Sequence, residues 1–224
     1  MYIRRLTLET TAPDELTDFY GGRLGLSLSR EECGLSVSVG TTELEFRTVD
    51  SGSPFYHFAI NVPENRFQEA RDWLADRVGL IPDADSGETE FHFEFMNANA
   101  TYFEDPAGNI GELIARHDIG NATVEGEKFG PDCLLEVSEI GLPVPDVPTA
   151  VETIETHTET RAWESDSKTF RVVGDDHGMF ILVREGRDWF PTGRPAEVFP
   201  TEIVIEGSDP GYEWSNLPYR ISTR

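Results

Sequence analysis

The chain opens with IRRLTLET (residues 3–10), which alternates apolar and polar positions as a half-buried strand does. PDELTDFYGGRLGL (13–26) follows, with Leu16, Phe19, Tyr20 and Leu24 at helical spacing behind a Pro-Asp start. Three short alternating runs come next, LSLSR (26–30), GLSVSVG (34–40) and TELEFRTV (42–49), separated by acidic or glycine turns. The unit reads βαβββ. It then restarts: FYHFAINVP (55–63) predicts a strand and ENRFQEARDWLADRVGL (64–80) a helix. FHFEFM (91–96), ATYFED (100–105) and NIGELIAR (109–116) complete a second βαβββ.

Residues 117–132 are polar, contain glycine and lack periodicity, as a domain boundary does. Beyond them LLEVSEIGLPV (134–144), DVPTAVETIETH (146–157), TRAWES (160–165), TFRVVGD (169–175) and GMFILVRE (178–185) repeat the same order. FPTEIVIEG (199–207) and PYRISTR (218–224) leave only the first and last strands of a fourth unit, with no stretch long enough for a helix. A unit recurring every 50 to 60 residues or so needs a neighbour to close its sheet. The pattern predicts an α+β protein of repeated βαβββ modules, and the resemblance described below implies that they pair into curved mixed sheets around a cup. The pattern also predicts two halves, 1–118 and 133–224, with modules pairing inside each half and the fourth module truncated.

Charge narrows the partners. Against 18 Lys+Arg stand 42 Asp+Glu, a formal net charge of −24, spread along the chain rather than gathered in a tail. Such a chain repels nucleic acid and anionic membranes, which argues against either as partner; a small-molecule ligand is what the resemblance described below implies. Only Lys128 and Lys168 are lysines; the other basic residues are arginines. Abundant carboxylates with scarce lysine point to a halophilic cytosol, where salt screens the self-repulsion, and predict stability that rises with salt. The start MYIRRLTLET has no signal-peptide layout, and no apolar stretch approaches the roughly 20 residues that span a bilayer; both suggest a cytoplasmic protein. Cys33 and Cys133 show no paired spacing and read as isolated buried thiols.

Within NIGELIAR one residue stands out. Asp105-Pro106 with Gly108-Asn109 makes a tight turn, so this run folds back beside ATYFED. Alternation then puts Ile110, Glu112 and Ile114 on one face. A carboxylate between two apolar residues is either on the wet side of the sheet or buried with a partner, because unpaired burial costs several kcal/mol. First and last strands are neighbours in a βαβββ unit, which brings His57 beside Glu112, a half-site for zinc, nickel, manganese or iron(II).

ELEFR, FYHFAINVP and above all YFEDPAGNIGEL resemble the vicinal-oxygen-chelate superfamily of glyoxalase I, bleomycin-resistance proteins and extradiol ring-cleaving dioxygenases. The likeness covers residues 2–116, and from 134 onward only the element order and IGLPVPDV match. It implies a divalent metal (Fe, Mn, Ni or Zn) at the floor of the cup, held by first and last strands. Carried over position by position, it falls on His57, Glu112 and Glu43, but the fourth ligand position holds Arg5, which cannot ligate because guanidinium stays protonated. Two outcomes stay open: a three-ligand site of His57, Glu43 and Glu112, or no metal, with Arg5 as the cation pairing with both acids. The plainer readings are a core histidine for His57 and a solvated acid for Glu43, whose neighbour Glu45 lies two residues on. His92, Asn99 and Tyr102 join Arg5 as candidate cup-lining, substrate-binding residues, with a surface site or the core as the plainer alternatives. In the third module the matching positions are Glu139 and Ile181, which form no His/Glu pair. The loop GRDWFPTGRPAEVFP carries Arg187 and Trp189, which suit an anionic or aromatic ligand if it covers an opening.

The resemblance implies a metal-dependent enzyme acting on vicinal oxygens, with Glu43 or Glu112 taking a proton; the alternative is a metal-free, sequestering binder of the same fold. Either would be a monomer or a homodimer.

Overall fold

A computed structural model describes residues 1–123, 128–208 and 211–224; residues 124–127 of the expected linker lie outside the described residues. The first module consists of β1 (Ile3–Thr10), α1 (Pro13–Thr17) with a π-helical turn (Asp18–Arg23), β2 (Leu28–Glu31), β3 (Gly34–Val39) and β4 (Thr42–Thr48). The second is β5 (His57–Val62), α2 (Phe67–Ala75), β6 (Phe91–Phe93), β7 (Ala98–Glu104) and β8 (Ile110–Arg116). The third is β9 (Val137–Val144), α3 (Val147–His157), β10 (Phe170–Asp175) and β11 (Gly178–Arg184). TRAWES, expected as its second strand, is reduced to one bridge, Ala162 to Val173, ahead of a polar Glu-Ser-Asp-Ser run. A two-strand hairpin, β12 (Asp188–Trp189) and β13 (Arg194–Pro195), precedes the helix-less fourth module, β14 (Thr201–Ile205), β15 (Tyr212–Glu213) and β16 (Tyr219–Thr223).

The α+β class and the curved mixed sheets are as expected, but the modules pair differently. Two seven-stranded sheets form, in the orders β15-β16-β14-β1-β4-β3-β2 and β10-β11-β9-β5-β8-β7-β6. Module one therefore closes on module four and module two on module three, through the antiparallel central pairs β1–β14 and β5–β9. Among the described residues, no strand of module one pairs with module two and none of module three with module four. Burial supplies a physical reason. Every residue of β5 and of β9 is buried, so each needs cover on both faces, whereas β1 and β14 alternate and leave one face to water. Like strands pair, giving one dry cup and one wet cup.

The convex faces of both sheets, with the helices, share one apolar core that includes Leu6, Leu8 and Phe46 from the first sheet and Phe58, Ile60 and Leu142 from the second. Each such fully buried side chain contributes roughly 1.5–3 kcal/mol of transfer free energy. Polar ties fix the two sheets together. The Tyr20 hydroxyl donates to Asp105 at 2.8 Å, and Thr42 donates to the Ile3 carbonyl while accepting from the Val137 amide. Asp105 organises the turn before β8 by accepting from the Ala107 and Asn109 amides, and Gly108 there holds φ 83°, a value that favours glycine. The turn aims β8, and with it Glu112, back along β7. Among the described residues no helix is long and apolar enough to cross a membrane. Cys33 is exposed rather than buried, and both cysteines are free.

Candidate metal centre and aromatic cavity

The central strands of the second sheet build the site. Ala59 of β5 stands in register with Glu112 of parallel β8 on one side and with Glu139 of antiparallel β9 on the other. Its small side chain leaves room for two carboxylates to flank it, while His57, two residues back on the same face, reaches over both. Ile110, Glu112 and Ile114 do share a face, with the two isoleucines in the apolar cluster that lines the cup. His57 Nε2 lies 3.6 Å from Glu112 Oε2 and 3.9 Å from Glu139 Oε2. Ligand atoms of the three residues all fall within 4.8 Å of one another, and all three side chains are buried.

Hydrogen bonds decide which atoms are free. His57 Nδ1 lies 3.1 Å from the Ile110 carbonyl, which only accepts, so Nδ1 carries the proton and a neutral ring presents the Nε2 lone pair to the glutamates. Burial pushes the imidazole below its ordinary value, against the pull of Glu139 and of the Ile110 carbonyl, and so favours that neutral form. Glu112 is pushed well up, first by burial and then by the Glu139 charge, with Arg116 and the Tyr102 hydroxyl acting the other way. The free Nε2 of His57 and carboxyl oxygens of Glu112 and Glu139, whose other contacts are the Tyr102 hydroxyl and Arg116, thus converge at the floor of the cavity. A divalent cation suits that set, and a neutral imidazole with two carboxylates is a known type of donor combination for Zn, Fe, Mn or Ni.

Arg116, at the end of β8 and again on the face of Glu112, is wholly buried. Its guanidinium bonds to Glu139 and to Asn61 and lies 3.5 Å from Asp176. Asn61 in turn donates to Glu136, which meets His177 at 3.4 Å. Arg116 therefore leaves the second oxygen of Glu139 to the imidazole.

Above the three residues opens a cavity of about 400 Å³, walled by Phe93, Phe95, Met96, Tyr102, Phe170, Ile181, Trp189 and Phe190, with Arg187 also lining it. Trp189 lies beside the imidazole, ring centroids 5.0 Å apart, in space that Gly141 leaves free. Trp189 and Phe190 of the hairpin β12–β13 thus form part of the cavity wall.

Of the residues singled out from the sequence, His57, Glu112 and Tyr102 come together here. Glu43 and Arg5 do not. They pair in register across β1 and β4 in the other, wet cup, where Arg5 Nε lies 3.3 Å from Glu43 and 3.2 Å from Glu45. The three-ligand set with Glu43, and Arg5 as the cation shared with Glu112, are both corrected by this separation: module one lies in a different sheet. His92 faces out from edge strand β6, opposite to Phe91 and Phe93, and Asn99 points to the convex side of β7, where it meets His117 at 2.8 Å. Neither lines the cavity. Glu139 was set aside because its own module offers no histidine; its equivalence to His57 as a first-strand position was the available signal, and module pairing converts it into a partner.

No family model and no curated protein matches the sequence. Solved structures do match in three dimensions. A candidate dioxygenase from Bacillus subtilis superposes on 100% of this chain and 85% of its own, with a TM-score of 0.64 at 17% identity. Glyoxalase I from Zea mays covers 91% of this chain and 74% of its own, with a TM-score of 0.54 at 14% identity. At such identities the likeness is one of architecture. In fold, the chain is similar to these dioxygenase and glyoxalase structures.

Proposed function

We propose that the chain is a metal-dependent enzyme of the glyoxalase or ring-cleaving dioxygenase kind, acting on a small molecule with two adjacent oxygens. The observation that carries this reading is the convergence of His57 Nε2, Glu112 and Glu139 at the floor of an aromatic cavity. A cation bound by these three supplies Lewis acidity toward vicinal oxygens. The chain's own residues do the rest. Arg116 fixes the orientation of Glu139, as partners of metal ligands commonly do. Glu112, raised by burial and bonded to the Tyr102 hydroxyl, is the group placed to take or return a proton. The aromatic wall lowers the local polarity, which strengthens charge interactions at the floor.

A second reading, a metal-free small-molecule binder, is favoured by one observation: Arg116 already gives Glu139 a cation. Elemental analysis of protein purified in high salt without chelator separates the two. Stoichiometric metal that disappears in His57→Ala supports the enzyme; protein free of metal, and unable to bind added Mn, Fe, Ni or Zn, sinks it.

A further inference from the structure

Resting on that reading, we infer that the molecule bound is a flat aromatic ring which carries, besides its two adjacent oxygens, an acidic substituent held by Arg187 at the mouth of the cavity. Apart from His57 on the floor, Arg187 is the sole basic side chain of the cavity wall. In a chain where 42 acids face 18 bases, Arg5, Arg47, Arg66 and Arg116 pair with carboxylates, whereas Arg77 and Arg194 turn to backbone carbonyls. Arg187 pairs with none among the described residues. Its guanidinium lies over the Phe170 ring at 5.2 Å and donates only to the Asp188 carbonyl, at 3.3 Å. Most of the planar fork that matches a carboxylate in bidentate fashion is left open.

Its backbone is fixed at the foot of the hairpin. The Arg187 amide donates to Arg184, and its carbonyl accepts from Ala196. The contact with Phe170 places the cation at the rim.

The ring is inferred from the walls. Phe95 and Phe190 are the exposed large hydrophobic residues among those described, 59% and 43% accessible, and both line this cavity. Each meets Phe93 edge-on, at centroid separations of 6.2 and 6.0 Å, so the mouth is framed by aromatic rings that an incoming ring can stack on or abut. A volume of about 400 Å³ is the scale of a small-molecule site rather than of a peptide groove.

Titration calorimetry in concentrated KCl tests this with four probes: benzoate, benzamide, catechol and 3,4-dihydroxybenzoate. The metal-free protein is expected to bind benzoate at least tenfold more tightly than benzamide, and the Mn-loaded protein 3,4-dihydroxybenzoate at least tenfold more tightly than catechol. Arg187→Gln should erase both differences while leaving benzamide and catechol binding unchanged, and Arg187→Lys should restore part of each. Equal binding within either pair by the unaltered protein, or equal weakening of catechol and 3,4-dihydroxybenzoate by Arg187→Gln, overturns the inference. A benzoate preference in protein that takes up no metal would keep the acid site and remove the metal reading instead.

Discussion

Glu139 faces His57 across the seam between two modules, its Oε2 3.9 Å from the imidazole Nε2, although 82 positions separate them in the chain (139 − 57). The pair exists because β5 and β9 are neighbours, and it moves the candidate centre from one module to the junction of two.

That placement separates two assignments of the third ligand. His57→Ala, Glu112→Gln and Glu139→Gln should each weaken Mn or Zn uptake by tenfold or more, whereas Glu43→Gln should leave it within twofold. Competition against a fluorescent chelator reads this directly; loss in Glu43→Gln with retention in Glu139→Gln would return the site to the wet cup.

Arg116 stands wholly buried between Glu139 and Asp176, and one of its terminal nitrogens lacks a hydrogen-bond acceptor. Replacing it by Gln leaves Glu139 in a dry site without its cation, a loss of about 3–5 kcal/mol. The urea midpoint should drop accordingly, and a bound divalent ion should recover part of the loss.

Gly141 is the position that admits Trp189. A Cβ there would lie 2.5 Å from the indole ring and 3.3 Å from the His57 carbonyl. Gly141→Ala should therefore push Trp189 off the imidazole and cost about 1–3 kcal/mol. A red-shifted tryptophan emission and a lower melting temperature are expected; unchanged spectra would mean that the hairpin is not seated as described.

Asp105 gives a pH dependence. Burial raises its carboxyl from 3.8 to about 6, opposed by hydrogen bonds from Asn109 and Tyr20. The folded state thus binds the proton more tightly than the unfolded chain. Its stabilisation, about 3 kcal/mol, is complete below pH 4 and lost as pH rises through 6. Carboxyl NMR should place the Asp105 midpoint near 6, and Asp105→Asn should flatten the stability profile between pH 4 and 6. A midpoint near 4 would contradict this.

The modules were legible because alternation and helical spacing are local: strands β1, β5, β8 and β11 fall where the runs IRRLTLET, FYHFAINVP, NIGELIAR and GMFILVRE sit. The face of Glu112 was legible for the same reason. Module pairing was not, because any first strand offers a free edge to any other, and hydrogen-bonding capacity carries no address. The discriminating signal was burial on two sides against one. FYHFAINV and VSEIGLPV hold one charged residue between them, Glu139, while IRRLTLET and TEIVI hold Arg4, Arg5, Glu9 and Glu202. Arg116 was open to the same alternation that found Glu112, being four residues further along β8. The aromatic hairpin could be read only as a cover, since its docking depends on the space above Gly141.

The seam between β5 and β9 carries one more consequence. The two strands flank residues 117–132, so a break in that stretch would sever the backbone yet leave the half-sites hydrogen-bonded to each other. Each fragment would share two strand pairings with the other, β1–β14 and β5–β9, as subunits of a heterodimer do. A single gene of this plan can thus be divided in two, or assembled from two, without displacing any group on the floor.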